Sequence, residues 1–207
     1  MIGSFLFYLY RNYYFVFLKC KVVNSLGLID VNDLIKNLIL VFMSKLLESC
    51  IKTLQSTEAL LNHLPNNSYS DKSIAPYYSS IGSHVRHILD FYNCIINEKD
   101  EEIDLTKRER NLEVESNSKS ALEYLEYLQT SLRTINYEED RIILVSDDLG
   151  SGKVQIKYTF GALLAQANSH TIHHYAIINY ILDRLGISLK DSRFGFNPTT
   201  PLLEQIN

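Results

Sequence analysis

The sequence predicts a mainly all-α fold, a bundle of four helices with a short β-hairpin before the last one, and three observations carry that prediction. Apolar residues recur at three-and-four spacing over four separate stretches between residues 44 and 186, the period of a helix that buries one face. Two short β-branched runs flank the turn sequence DDLGSG at 147–152, which is the pattern of a hairpin. Five of the six histidines fall in two clusters, His84 with His87 and His170 with His173 and His174, and both clusters lie inside apolar-periodic stretches.

Taken in order, residues 1–42 read differently from the rest. Two aromatic-rich apolar runs, at 5–10 and 13–18, are separated by Arg11 and Asn12. Neither approaches the roughly 20 apolar residues that a membrane span needs. The apolar part precedes Lys19 and Lys21 and no small-residue cleavage site follows, which disfavours a signal peptide. The stretch from Met43 resembles the natural start of a helical protein, so residues 1–42 are read as an N-terminal extension upstream of that start and 43–207 as the folded domain. A membrane-associated anchor helix is the competing reading of the extension.

The first helix is expected over 44–64, with Leu46, Leu47, Cys50, Ile51, Leu54, Ala59, Leu60, Leu61 and Leu64 as its apolar stripe. Pro65 and the polar residues after it end this helix. Pro76 stands where a second helix can begin, and Ile81, Val85, Ile88, Leu89, Tyr92, Ile95 and Ile96 form its stripe, so that it carries His84 and His87. The charged stretch 97–115 lacks a sustained period and reads as a long connection anchored by Ile103, Leu105 and Leu112. A third helix follows over 118–135, with Ser120 and Glu123 as a capping box. After the hairpin, Thr159 can cap a long final helix that ends near Gly186 and carries His170, His173 and His174. The tail from residue 188, with Pro198 and Pro201, is expected to lie extended across the bundle.

The bulk properties narrow the role. A chain of 207 residues, 46% hydrophobic and 21% charged, can bury one substantial core. Its net charge of −4 argues against nucleic acid as a partner. The cysteines Cys20, Cys50 and Cys94 form no CxxC or finger spacing, which fits a reducing cytoplasm.

On the last helix, His170 and His174 are one turn apart and lie on a single face, a spacing that can grip one ion. His173 is also a turn from His170 but points about 100° away from His174, so the two adjacent histidines cannot easily serve the same ion. A catalytic zinc-type centre takes three protein ligands and leaves a fourth position open. The second helix can supply the third ligand, from His84 or His87. No Glu-x-x-His pair supports a di-iron site, and neither His-Glu-x-x-His nor a phosphate-binding glycine loop is present. His63, alone at the end of the first helix, is not read as a ligand.

The segments SIGSHVRHILD at 80–90 and HTIHH at 170–174 resemble the two metal-binding signatures of the DinB/YfiT-like superfamily, named for DNA-damage-inducible bacterial proteins. KRER at 107–110 is similar to a basic patch in one bacterial branch, and FGFNPT at 194–199 to its C-terminal segment. Asn111 stands where that branch carries an acidic residue. The likeness spans residues 43–199. It implies a DinB-like four-helix bundle with up-down-down-up connectivity, a divalent ion such as zinc or nickel, and a homodimer. By that resemblance His87, His170 and His174 are the metal ligands, and His84 and His173 are catalytic candidates beside them that orient a ligand or touch the substrate.

Characterised relatives of that kind act on low-molecular-weight thiols as transferases or isomerases, or act as metal-dependent hydrolases. The resulting expectation is a divalent-metal-dependent S-transferase or hydrolase that takes a small-molecule substrate with a low-molecular-weight thiol as co-substrate. Arg86, Lys107, Arg108 and Arg110 would attract the carboxylates of such a thiol. The alternative is a non-catalytic, metal-stabilised module of stress response or binding, whose ion would be closed off by His84 or Asp90 as a fourth ligand.

Overall fold

A computed structural model describes residues 21–24, 27–30, 44–65, 67–135 and 137–201. The aromatic runs at 5–10 and 13–18, on which the extension and anchor readings rest, lie outside the described residues. The chain divides into two compact units, Met1–Met43 and Ser44–Asn207. In the first unit, β1 (Lys21–Asn24) pairs antiparallel with β2 (Gly27–Asp30), Val22 facing Ile29 in register. Among the described residues no helix is long and apolar enough to cross a membrane.

The second unit is a four-helix bundle with a small sheet at its side. Helix α1 (Lys45–His63) starts at Ser44, whose hydroxyl accepts a hydrogen bond from the Leu47 amide at 3.2 Å and so satisfies one of the free N–H groups of the first turn. Leu47, Cys50, Ile51, Leu54, Leu60 and Leu61 are buried, with Thr57 among them. Helix α2 (Ile81–Ile96) begins at Ser80, whose hydroxyl accepts from the Ser83 amide at 3.0 Å. The sequence pattern puts its start near Pro76. The structure moves it because Tyr78 holds a φ of +50°, a left-handed turn from which a right-handed helix cannot continue.

The stretch 97–115 is less loop-like than its composition suggests. It contains β3 (Glu102–Asp104) and the short helix α3 (Leu112–Ser116). Ile103 and Leu105 are buried anchors as expected, but Leu112 is 73% exposed and Val114 takes the buried place at 4%. On a one-turn helix only one side can face the bundle, and the Tyr69 hydroxyl, donating to the Val114 carbonyl at 2.7 Å, holds that side down.

Helix α4 (Ser118–Thr134) is capped by Asn117, not by the Ser120 and Glu123 box. The Asn117 side chain already accepts from the Lys119 amide at 2.9 Å, and the Ser120 hydroxyl donates to Glu113 instead. The hairpin is present as β4 (Ile142–Asp148) and β5 (Lys153–Thr159), and β3 joins it in parallel to β4, with Ile103 opposite Val145. Gly150 and Gly152 both take positive φ in its turn, which Asp148 closes by accepting their amides. Thr159 caps α5 (Phe160–Arg184), and Gly186, at φ +69°, ends it.

Side-chain pairings give the helix directions. Cys50 meets Leu164, Thr57 meets Tyr175 and His63 meets Ser188, so α1 and α5 run parallel. Tyr137, just past the end of α4, bonds Ser44 at the start of α1, so these two are antiparallel. His84 meets His174 while His87 meets His170, so α2 is antiparallel to α5. The connectivity is therefore up-down-down-up, each long helix packing against two neighbours around a core of Leu54, Ile88, Leu89, Tyr92, Leu125, Leu128, Leu163 and Ile178.

Candidate metal centre

Helices α2 and α5 cross with histidines on their facing sides. His87 Nε2 lies 2.8 Å from His170 Nε2, and His174 Nε2 lies 3.0 Å from the same atom. The three rings offer nitrogens that all fall within 4.8 Å of one another. Among the described residues this group of potential ligands has these three members, with no fourth His, Cys, Asp or Glu. All three are half-buried at the margin of the core, between buried Val85 and Ile88 on one helix and Ala167 and Thr171 on the other. Phe91 sets its ring edge-on to His170.

This arrangement suits a cation better than it suits the imidazoles alone. Burial holds the His87 pKa down to about 3, with the Arg108 charge adding to the effect, and holds His174 down to about 2, with His170 adding. His170 is lowered by the same cause. The rings are thus neutral at ordinary pH, each with one N–H and one lone pair. Three Nε2 atoms drawn to one point cannot all be satisfied by hydrogen bonding to each other, since every such bond needs one donor and one acceptor. If all three turn their lone pairs to that point, they form a nitrogen donor set suited to zinc or nickel.

The remaining sequence candidates fall into different surroundings. His84 stands behind the centre, its Nδ1 2.9 Å from His174 Nδ1 and its Nε2 2.8 Å from the Ser79 hydroxyl. His173 is exposed, its ring centroid 5.6 Å from that of His174. Arg86 is drawn into a different task. It bonds Asp90 at 2.7 Å and Glu115 at 3.0 Å, so it ties α3 to α2 and offers little to a ligand. Burial raises the Asp90 pKa in spite of this partner. Lys107 is exposed and pairs with Asp104 at 3.4 Å, and Arg110 is exposed with a φ of +53°. Arg108 is half-buried, and its charge is felt at both His87 and His170. His63 hydrogen-bonds the Ser188 carbonyl, far along α1.

A pocket that opens from the centre is expected under the 107–110 loop or the tail near Phe194, the long segments outside the main helices. The loop does border a polar groove of about 1260 Å³ that also takes in Asp90, Cys94, Tyr124 and Lys153, but the three histidine rings do not line it. The tail is not extended as the sequence suggests but folds into turns, the Phe194 amide bonding Asp191 and the Phe196 amide bonding Arg193, because Gly195 takes a positive φ. Phe194 is buried and stacks on Tyr175, and Gly195 leaves no room for a Cβ against the Tyr175 backbone. Ser79, which pairs with His84, has no signal in the sequence, because only the turn before α2 brings it there.

A bundle that holds three histidines between antiparallel second and last long helices defines a class of small helical proteins with imidazole-rich centres. The model of the DinB family matches residues 36–192, and the chain belongs to that family. A stretch of 98 residues is 32% identical to FK506-binding protein 5 of Rhizopus delemar, covering 45% of this chain and 25% of that protein, so the chain spans about a quarter of that relative's length. No solved structure matches the chain.

Proposed function

We propose that the protein is a divalent-metal-dependent enzyme that binds zinc or nickel through His87, His170 and His174 and acts as a thiol-dependent S-transferase or a hydrolase. The observation that carries this reading is the convergence of three neutral Nε2 atoms with no fourth protein ligand beside them among the described residues. Such an ion acts as a Lewis acid, favouring the deprotonated form of a water or thiol at neutral pH. The chain supplies the rest. His173 would exchange a proton with the substrate, a role supported by its exposure beside His174. Arg108 is the basic residue of the 107–110 loop whose charge reaches the histidines, so it is the one assigned to anchor the carboxylate of a small thiol, with Lys107 and Arg110 contributing at longer range.

The test is elemental analysis of untagged protein, followed by a screen of low-molecular-weight thiols with electrophilic substrates. One equivalent of metal is expected in the wild type and in His63→Ala, and none in His170→Ala. Full metal in His170→Ala refutes the centre. Metal without turnover over the whole screen supports a structural ion instead.

A further inference from the structure

The pairing of His84 with His174 has a direction, and the direction assigns a role. A neutral imidazole carries a single N–H. For His174 to turn the lone pair of Nε2 toward His87 and His170, its proton must sit on Nδ1. That proton needs an acceptor, and His84 Nδ1 lies 2.9 Å away. An accepting Nδ1 leaves the proton of His84 on Nε2, where the Ser79 hydroxyl lies at 2.8 Å to receive it. The N–H of His174 and the N–H of His84 then each face an acceptor.

We infer that Ser79 and His84 form a positioning relay that fixes the tautomer and the aim of His174, and that His84 is not itself a ligand. This rests on the metal reading proposed above. The geometry separates the two roles: His84 approaches the Nδ1 side of the His174 ring, opposite the Nε2 that faces the centre. Its position is set by local structure. Ser79 directly precedes the Ser80 cap and follows the left-handed Tyr78, and His84 lies in the first turn of α2, three residues before His87. Partners of this kind that hold the remote nitrogen of a metal-bound histidine raise metal affinity by about 10–100-fold.

The experiment is a titration of Co(II) into metal-free protein, with competition against a chromophoric chelator. We expect His84→Ala to weaken binding about 10–100-fold with stoichiometry unchanged. His84→Asn, whose amide oxygen replaces the accepting Nδ1 without the ring, should recover most of the loss, which a purely space-filling role for His84 would not produce. Ser79→Ala removes only a hydroxyl and should weaken binding in the same direction, so it carries the test if the Ala variant at 84 fails to fold. Unchanged affinity in these variants, with a wild type that binds, overturns the relay. Loss of stoichiometric binding in every variant at 84, including Asn, makes His84 a ligand and also overturns it. A wild type that binds no Co(II) removes the metal reading itself.

Discussion

Lowering the pH from 7 to 5 should destabilise the metal-free protein, and the histidine centre sets the size of the effect. His87 and His174 have folded pKa values of about 3 and about 2, against 6.5 for an unhindered imidazole, chiefly because burial disfavours the charged ring. The folded state therefore binds fewer protons than the unfolded state between pH 6.5 and 3, so stability is present above the unfolded pKa and lost as the pH falls below it. At about 1.4 kcal/mol per pH unit over one and a half units, each ring accounts for about 2 kcal/mol at pH 5, or about 4 kcal/mol for the pair. Solvent reaches one edge of each ring and screens part of this, so we expect about 2 kcal/mol in total. His170 and His84 shift the same way and add to it. Glu98, Asp104 and Glu115, whose pKa values are lowered, lose their contribution only at lower pH, while Asp90, whose pKa burial raises, takes up its proton earlier and offsets part of the histidine loss. The assay is guanidinium unfolding of chelator-treated protein at pH 7 and 5, beside a His87→Gln, His174→Gln double variant. Equal stability of the wild type at the two pH values, or a double variant with an undiminished loss, would refute the argument.

Two further outcomes test the scaffold around the centre. In Gly82→Ala the new Cβ would run into the Glu115 carbonyl oxygen. The better helix propensity of Ala is worth about 1 kcal/mol, less than the overpacking against backbone, so a net loss of about 2 kcal/mol is expected in the denaturant midpoint. A variant as stable as the wild type would show that α2 and α3 do not approach so closely. Arg86→Ala leaves Asp90, 3% exposed, without its partner, and should cost about 3 kcal/mol while metal stoichiometry stays unchanged. Lost metal at unchanged stability would return Arg86 to the site.

Much of this protein is written in local periodicity. Hydrophobic spacing marks the four long helices, alternation around Asp148 and Gly150 marks the hairpin, and a side chain such as Thr159 marks a helix start, because each depends on a few neighbouring residues meeting water or backbone. The one-turn spacing of His170 and His174 is legible for the same reason. Spacing alone leaves the choice between His84 and His87 open, and in the sequence only the family resemblance names His87. Both occupy the same side of α2, and only the antiparallel register against α5 brings the Nε2 of His87 to His170 while leaving His84 against the far nitrogen of His174. Composition likewise cannot show that Arg86 meets Asp90 and Glu115, that Val114 rather than Leu112 turns inward, or that Ser79 reaches His84. Those contacts join segments distant in sequence or turn on which face of a short element packs. Their partners are chosen by how whole helices dock, and docking optimises the packing of the entire core rather than the preference of any one stretch.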